Sequence, residues 1–494
     1  MFLIGIVIIC AFLHLLLKWN YSYWQRDGVP GPNPSILTGN IGPAIAQKKH
    51  LGMLADDWYK KFSNLPFIGY YNVLTPAIMI RDVELIKNVL IRDFTSFLAN
   101  ERAINYDPHD MIAENPFFQT DEQKWKLSRS IMSPMFTTNK MKSIFPLMKK
   151  PCDSLIKYIN QEGSEADHEA KSLSAKFTTE NVASCVFSLE ANCFDDLNSE
   201  FRRMGRTLFK PSFWLGIKFT VMQLLPFFER LFRVSFIPKP VAEWAKRLVK
   251  ENVKSRQHRE LDCEDMLQIL LDSQDKFSIS LNQIAGHAVS LFVEGFETSS
   301  SVLSFALWEI ARHEEIQQKV YEEIKRVLEK HKNTLSYEAI SEMEYLDLVI
   351  QETQRVNTLF PVMKKVCTKP YEMPKLPGQK QPTILQPGTT VLIPVYSLHN
   401  DPEFYPCPEI FNPHRFTEEE RQSRPKCTFL PFGDGPRICI GMKFGILQTK
   451  MALVSILSHF KIKKSPSCQQ FAMDMRSLAL QSRNGLILRF EKRK

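Results

Sequence analysis

The hydrophobic pattern of the chain predicts a helix-rich body and two small sheets. The region from about 120 to 360 is predicted to be mainly helical, and Gln318–Lys332 has apolar residues at helical spacing among mixed charges. Extended segments at Phe67–Asn72 and Ala77–Ile80 indicate one small sheet, and a second is predicted from about 362 to 396. Because no repeat or long linker divides the chain, the pattern predicts one large domain. Its class is mainly α with small β-sheets (α+β), with a helix-rich body and a smaller β-rich part.

The amino terminus has a different pattern, which predicts a membrane anchor with an interfacial belt at residues 1–26. Phe2–Leu17 is almost wholly apolar and is followed by the basic and aromatic residues typical of membrane interfaces: Lys18, Trp19, Tyr21, Tyr23, Trp24 and Arg26. The alternative is a cleaved secretory signal, but no basic residue precedes the apolar run and no small-residue cleavage site follows it. A retained anchor would leave the body in the cytosol. Three prolines within 28–34 predict a stiff elbow at 27–34, and the globular domain is expected at 35–494.

A second apolar segment, Phe209–Ile237, is rich in Phe and Leu but is interrupted by Pro211, Lys218 and Pro226. It is therefore not expected to span a membrane. Contact with a membrane surface, a lid over an apolar pocket and a place in the buried core are all compatible with it.

Composition narrows the class of protein. The 494 residues include 35 Phe, which indicates a large aromatic interior. The 63 basic and 54 acidic residues give a net charge of +9 that is spread along the chain. This balance suits an acidic protein partner or anionic lipid better than nucleic acid. The ten cysteines include no C-x-x-C pair, which indicates a reducing compartment, and nine of them are expected to act as small hydrophobes.

The exception is Cys439, which lies in the segment Phe-Gly-Asp-Gly-Pro-Arg-Ile-Cys-Ile-Gly at 432–441. Gly433 and Gly435 permit a tight backbone path, Arg437 can pair with a carboxylate, and the helical pattern after Gly441 places the sulfur near a helix N-terminus. Phe432 can cover the sulfur from water. The alternative to a ligand-binding cysteine is a tight turn around a buried thiol. The spacing F-x-x-G-x-R-x-C-x-G is expected by chance only about once in ten thousand chains of this length.

This loop resembles the haem-binding signature of the cytochrome P450 superfamily, and the resemblance covers nearly the whole chain. It implies a haem-thiolate monooxygenase fold, with Cys439 as the ligand of the haem iron. Trp125 and Arg129 resemble the helix motif whose Trp and Arg contact a haem propionate. Glu352 and Arg355 resemble the E-x-x-R pair, which Arg415 would complete as an ion network. Each of these pairs alone is as compatible with an ordinary helix surface, and their order along the chain supports the family.

A long apolar helix is predicted at Ile284–Ala311, with carboxylates at Glu294 and Glu297 in its middle. In the family the corresponding helix crosses the distal haem face. There a glycine makes space for dioxygen, and an acid and an alcohol deliver protons while dioxygen is cleaved. By resemblance Glu297 is the acid and Thr298 is the alcohol. The alternative for Thr298 is a hydrogen bond back to the carbonyl of Glu294.

Three positions depart from the family pattern. Glu294 stands where Ala or Gly is usual, four residues before Thr298 and so on the same helix face. In one branch of the family a Glu at this place is ester-linked to haem. Covalent haem through Glu294 and a free carboxylate in the pocket are therefore both compatible with the sequence. Lys365 replaces an Arg that would reach a propionate, and Lys443 stands where Arg is common.

Cofactor and partners follow from the resemblance. The cofactor is haem, and no dinucleotide fingerprint or Walker loop is present, so electrons would come from an NADPH-dependent flavin reductase, with cytochrome b5 as a further candidate partner. The reductase would dock beside the lysines of the cysteine side, namely Lys124, Lys126, Lys140, Lys142 and Lys443, although a solvated surface explains each of them singly. The other expected contacts are O₂, a small lipophilic substrate and membrane lipid, with no nucleic acid.

The segments 295–300 and 441–445 are similar to those of the microsomal insect detoxification branch, which implies an endoplasmic reticulum membrane with the catalytic domain on the cytoplasmic side. A xenobiotic, a fatty acid and a hormone are all open as substrates. Two other functions are compatible with the sequence. One is a haem-thiolate isomerase or dehydratase that needs no reductase. The other is a non-catalytic membrane protein that binds haem or another ligand.

Overall fold

The fold was analysed in a computed structural model that describes residues 2–100, 110–196, 198–209, 237–259, 264–477 and 479–493. Nearly all of the apolar segment predicted at 209–237 lies outside the described residues. Within the described part of the chain, the elements agree with the predicted class, a mainly helical fold with small sheets.

The helices lie mostly between residues 120 and 360, as predicted. Their bounds are Phe2–Asn20, Tyr23–Arg26, Gly42–Ile45, Leu51–Lys61, Val83–Lys87, Glu122–Met132, Thr138–Glu162, Ala170–Phe187, Glu200–Phe209, Lys239–Arg259, Met266–Phe277, Leu281–Arg312, Glu314–Lys330, Tyr337–Ser341, Glu344–Val356, Val395–His399, Glu418–Ser423 and Met442–His459. Shorter helical turns occur at Asn88–Arg92, Phe94–Ser96, Met111–Glu114, Ser133–Phe136, Pro413–Phe416 and Gly435–Arg437. The amphipathic pattern predicted at 318–332 belongs to Glu314–Lys330, whose apolar Val320 and Ile324 are buried.

The central helix, Leu281–Arg312, begins with a capping box. The Ser280 hydroxyl accepts from the Gln283 amide, and the Gln283 side chain accepts from the Ser280 amide. Most of its 32 residues are buried, and its main neighbour is Ala170–Phe187. Its polar residues recur on one face, at Gln283, His287, Ser290, Glu294, Glu297, Ser301 and Ser304, and most of that face is buried with the rest of the helix.

The strands are β1 (Phe67–Asn72), β2 (Thr75–Ile80), β3 (Ala99–Asn100), β4 (His168–Glu169), β5 (Met363–Val366), β6 (Tyr371–Glu372), β7 (Ile384–Leu385), β8 (Thr390–Ile393), β9 (Phe460–Lys464) and β10 (Ile487–Lys492). The largest sheet has the order β1-β2-β8-β5-β3. The prediction of a separate second sheet between 362 and 396 is therefore wrong for β5 and β8. Strand β8 pairs in parallel with β2, so both strands extend the first sheet. The hairpin β1-β2 leaves one edge of β2 unpaired, and β8 covers it. Only β6 and β7 form a sheet of their own in that region.

Phe2–Asn20 is exposed along its whole length and has a mean hydropathy of 2.4, which makes it the one described helix that is long and apolar enough to cross a membrane. Trp19 at its end is 66% exposed and stacks under Arg26 at 4.6 Å, as an interfacial residue would.

Two of the four predicted belt aromatics, Tyr21 and Trp24, are buried in the β-rich part instead. The Trp24 indole donates to the Tyr70 carbonyl at 3.0 Å and lies over Gly69, where a Cβ atom would come within 2.4 Å of the Trp24 ring. The expectation that all four aromatics occupy the headgroup region therefore does not hold for these two. They pack before the proline-rich elbow begins, so the packed part of the chain starts earlier than residue 35.

Candidate active site

The cysteine loop turns sharply beneath the sheet. Gly433 and Gly435 have φ values of +71° and +74°, which side chains rarely allow. At Gly435 a Cβ atom would lie 2.0 Å from the carbonyl oxygen of Leu90, so only glycine lets the loop pass this close to another backbone. The turn is closed by the Cys439 amide, which donates to the Phe432 carbonyl at 2.9 Å. Phe432 thus contributes its backbone to the loop.

The Cys439 thiol lies deep within the protein, where burial raises its pKa to about 11, yet its surface is accessible. It therefore borders an internal space. The negative charge of Glu294 raises the pKa further, whereas a hydrogen bond from the Gly441 backbone and the charge of Arg129 lower it. The helix N-terminus after Gly441 thus favours the thiolate, as expected, but does not outweigh burial. A bound metal ion would remove the proton, because coordination deprotonates a thiol.

Three cations lie in this part of the chain: Lys365 is buried, whereas Arg129 and Arg437 are half-buried. Burial lowers the pKa of Lys365 to about 7 and the pKa of Arg437 to about 10, and it also lowers the pKa of Arg129. Lys365 donates to Asn100 Oδ1 at 2.9 Å, and the Arg437 guanidinium lies 5.0 Å from the Trp125 ring.

The other contacts of these cations are to backbone carbonyls. Arg129 donates to Ile438, 2.8 Å away, and Arg437 donates to Pro116 and Gln119. Among the described residues, none of Arg129, Lys365 and Arg437 has a carboxylate within ion-pair distance, and Arg437 Nε has no hydrogen-bond partner. Buried cations without counter-ions are costly, so this arrangement fits a ligand that brings its own carboxylates.

The ion network predicted around Glu352 is present. Arg355 binds the Glu352 carboxylate through two hydrogen bonds of 2.7 and 2.8 Å, and both side chains are fully buried. Arg415 Nε lies 3.5 Å from Glu352 Oε1, which also accepts from the Asn412 amide at 2.8 Å. Additional hydrogen bonds between both members of the buried pair and the surrounding backbone make such a pair tolerable.

His399, which carried no signal in the sequence, connects this network to the cysteine loop. Burial and the charge of Arg355 lower its pKa to about 3, so the ring is neutral. Its Nε2 accepts from the Leu430 amide at 2.8 Å, so Nδ1 carries the proton and donates to Thr358 Oγ1 at 2.9 Å. Arg355 in turn donates to the His399 carbonyl. Leu430 is therefore fixed two residues before Phe432.

Glu294 lies close enough to Cys439 for its charge to raise the pKa of the thiol. Burial raises its pKa to about 7. Its Oε1 accepts from the Asn115 side chain at 2.7 Å, and Asn115 Oδ1 accepts from the Phe117 amide, which fixes the orientation of the amide group. Sequence reasoning missed Asn115, because 179 positions separate it from Glu294 and no local pattern marks such a contact.

Thr298 and Glu297 have different surroundings. Thr298 Oγ1 donates to the Glu294 carbonyl at 2.6 Å, which is the local bond foreseen as its alternative. The Glu297 carboxylate lies 3.0 Å from Lys171 Nζ and accepts from Gln481 at 3.3 Å. Lys171 had no sequence signal. Lys171 and Gln481 also line a small cavity of about 130 Å³, so both partners of Glu297 border that cavity.

Gly295 does not open the space beside Cys439. A Cβ atom there would lie 3.0 Å from Val182, and the Gly295 carbonyl accepts from Gln448 at 2.9 Å. The glycine therefore brings the central helix close to Ala170–Phe187 and to Met442–His459. The expectation that it makes room for dioxygen is not supported by this packing.

These observations fit a haem group. Haem presents two carboxylates and an iron that binds thiolate, and the described residues offer cations without carboxylate partners near an accessible cysteine. Cys439 would hold the iron, whereas Trp125, Arg129, Lys365 and Arg437 would hold the propionates.

Comparison with known proteins agrees with this site. Residues 29–489 match the Cytochrome P450 family profile. The chain is 34% identical to the probable cytochrome P450 6a13 of Drosophila melanogaster over 484 residues, which are 97% of this chain and 96% of the relative. It is 32% identical to cytochrome P450 6a2 of the same species over 505 residues, covering 99% and 98% of the two chains. The identity to cytochrome P450 6j1 of Blattella germanica is 33% over 454 residues, covering 91% and 89%.

The predicted family and the predicted similarity to insect members are both confirmed. The chain belongs to the cytochrome P450 family, whose members are haem-dependent monooxygenases.

Proposed function

We propose that this cytochrome P450, an oxidoreductase that uses haem, O₂, a redox partner and a small-molecule substrate, inserts one oxygen atom of O₂ into a lipophilic substrate with electrons from an NADPH-dependent flavin reductase. The observation that carries this proposal is the accessible Cys439 thiol, whose neighbourhood holds cations without carboxylate partners among the described residues and the Glu294 carboxyl group of the central helix.

The residues divide into three tasks. Cys439 binds the iron, and the loop geometry set by Gly435 and by the Glu352–Arg355 pair keeps the sulfur in place. When bound, the haem supplies the activation of dioxygen, and the thiolate donates electron density to the iron. The cations around the loop neutralise the propionates.

Glu297 and Thr298 are proposed as the acid and the alcohol that bring protons to the reaction. The position of Glu297 supports this role, because its carboxylate reaches the small cavity through Lys171 and Gln481 while its neighbour Thr298 shares the face of Glu294. Lys171 would hold the Glu297 carboxylate in one orientation. In this arrangement Thr298 must exchange its bond to the Glu294 carbonyl for one to Glu297 or to water.

The reductase is proposed to dock on the side of the cysteine loop. The helix Glu122–Met132 lies on this side, because its Arg129 donates to the Ile438 carbonyl in the loop. The helix Thr138–Glu162 also lies there, because Lys443 donates to the Thr138 hydroxyl. Lys124, Lys126, Lys142 and Lys443 are exposed there, whereas Lys140 is half-buried. Lys126 and Lys142 already pair with Glu122 and Glu338, so the unpaired members contribute most to an acidic partner. Cytochrome b5 would use the same surface.

The exposed helix Phe2–Asn20 supports membrane anchoring. We propose the endoplasmic reticulum membrane as its location, with the catalytic domain on the cytoplasmic side. The basic residues Lys18 and Arg26 follow the apolar run, and basic residues are expected on the cytoplasmic side of a membrane span.

Glu294 is proposed to remain a free carboxylate, with the ester link to haem as the alternative. Acid-solvent extraction distinguishes the two. A free carboxylate lets all haem leave the denatured protein, whereas an ester leaves haem attached, and a Glu294→Ala variant then loses that attachment.

The central test is the difference spectrum of the reduced protein with carbon monoxide. The wild-type protein should show the Soret band of a thiolate ligand, and Cys439→Ser should lose it. Cys427→Ser is the matched control, because Cys427 is also close to the loop, 3.6 Å from Asp434, but is not proposed to bind iron. A wild-type spectrum without the thiolate band would contradict the proposal, as would a band that survives in Cys439→Ser.

A further inference from the structure

The proposed mechanism gives the carboxyl group of Glu294 no task. Its Oε1 accepts from Asn115, but its Oε2 has no hydrogen-bond donor among the described residues, and the residue is only half-buried. No cation in the described part of the chain pairs with it. A buried carboxyl in this situation is either neutral or completed by a ligand.

The packing of the central helix shows where this group points. Gly295 contacts Val182, and Ser299 accepts from Gln448, so these flanking positions face other helices. Glu294 lies about 100° away from Gly295 around the helix, on the side of Thr298 and within electrostatic reach of Cys439. The Glu294 side chain therefore lies away from the helices that pack on Gly295 and Ser299, and close enough to Cys439 for the two charges to interact.

Asn115 leaves this oxygen available. Its carbonyl oxygen is occupied by the Phe117 amide, so its NH₂ group must face Glu294 and cannot turn to accept a proton from it. Asn115 is itself buried, with 1% of its surface exposed. The carboxylate thus has one fixed donor on one oxygen and can take a second donor, or a cation, only from a ligand.

We propose that Glu294 is a specificity-determining residue that selects lipophilic amines as substrates, with the protonated nitrogen of the ligand bonded to the free carboxylate oxygen. This inference rests on the proposed monooxygenase function. An ammonium group supplies both the missing donor and the missing counter-charge, and an ion pair of this kind in a water-poor pocket is stronger than a neutral hydrogen bond. A neutral ligand of the same shape supplies neither.

The test compares two probes of the same shape on the haem-loaded, full-length protein. They are N,N-dimethyl-4-phenylbutylamine and its uncharged carbon isostere, (5-methylhexyl)benzene. Binding is measured at equilibrium from the change in haem absorbance. We expect the wild-type protein to bind the amine at least about 10-fold more tightly than the isostere, as a charged hydrogen bond allows.

Glu294→Gln keeps the shape and the acceptor for Asn115 but removes the charge. It should weaken amine binding by about 10- to 100-fold and change isostere binding by less than about 3-fold. Glu309→Gln is the matched control, because Glu309 is a buried carboxylate of the same helix that is already paired with Arg312 and Asn357. It should preserve the preference for the amine.

Three outcomes would overturn the inference: a wild-type protein without preference for the amine, an equal effect of Glu294→Gln on both probes, or haem covalently attached at Glu294 in acid-solvent extraction. The proposed monooxygenase function has a separate test. In each of these three cases, a thiolate band in the carbon monoxide spectrum would still support the monooxygenase function, and only the absence of that band would refute it.

Discussion

Replacing Gly435 by Ala tests whether the cysteine loop depends on close passage of two backbones. Gly435 has a φ of +74°, and its added Cβ atom would lie 2.0 Å from the Leu90 carbonyl oxygen and 2.9 Å from the Leu90 carbonyl carbon. The left-handed backbone costs an L-residue about 1–2 kcal/mol. Because a backbone atom cannot turn aside as a side chain does, overpacking adds about 1–3 kcal/mol. The expected loss of stability is therefore about 2–5 kcal/mol.

Two other glycines separate these contributions. Gly378 has a φ of +82° and open space around its Cβ position, so Gly378→Ala carries the backbone cost alone. Gly433 has a φ of +71°, and its Cβ atom would meet only the flexible end of Met363 at 3.3 Å. We expect Gly433→Ala to resemble Gly378→Ala, with Gly435→Ala about 1–3 kcal/mol less stable than both.

The assay follows the thiolate band of the reduced carbon monoxide complex against urea concentration, because this band requires an intact loop. Far-ultraviolet circular dichroism in the same samples reports global unfolding. The Gly435→Ala variant should lose the band at a lower urea concentration than the two controls. If all three variants lose it at the same midpoint, the contact with Leu90 does not constrain the loop and the reasoning is refuted.

Three further predictions concern other parts of the chain. His287 is buried, neither ring nitrogen has a hydrogen-bond partner among the residues that the structure describes, and burial lowers its pKa to about 4. His287→Leu should therefore raise the stability by about 1–2 kcal/mol at pH 7, measured by urea denaturation. As the pH falls from 6.5 to 4, the free energy of unfolding of the wild-type protein should decrease by about 3 kcal/mol relative to that of the variant. The cause is that His287 takes up a proton in the unfolded state but not in the folded state. Equal dependence of both proteins on pH would contradict this prediction. Arg355→Lys should cost about 2–4 kcal/mol and accelerate haem loss, since lysine cannot form the two bonds to Glu352, and unchanged haem retention would count against this role. Deletion of residues 2–18 should leave the midpoint of urea unfolding in detergent unchanged, whereas deletion of residues 2–26 should lower it. The reason is that Trp24 is buried in the core. Equal midpoints would show that the packed part of the chain starts after residue 26.

Local patterns in the sequence were sufficient for much of the fold. Hydrophobic spacing predicted four elements: the long central helix, the amphipathic helix Glu314–Lys330 and the strands β1 and β2. Burial on one side gives a periodic pattern of apolar residues and burial on all sides gives a continuous apolar run, and both can be recognised within a short stretch of chain. The spacing of the cysteine loop was likewise local. It required glycine where the backbone is left-handed, so the sequence alone determined where the sulfur would lie and which family the chain resembled.

Contacts between distant segments left no such record. β8 joins β2 to make one sheet instead of two, and Trp24 packs on Gly69, because unpaired edges and apolar surfaces are satisfied by whatever element the fold brings near. The same holds for the neutral His399, which binds Leu430 across 31 positions, and for Lys171, which lies 126 positions before Glu297.

The sequence by itself determined that Glu294 shares a helix face with Thr298, since helical geometry sets this over four residues. Only the tertiary structure decided that Asn115 completes one oxygen of Glu294 and leaves the other open, and that three cations near Cys439 lack carboxylate partners within the described chain. The physical reason is that hydrogen bonds and charge compensation depend on distance in space, whereas a sequence pattern records only distance along the chain.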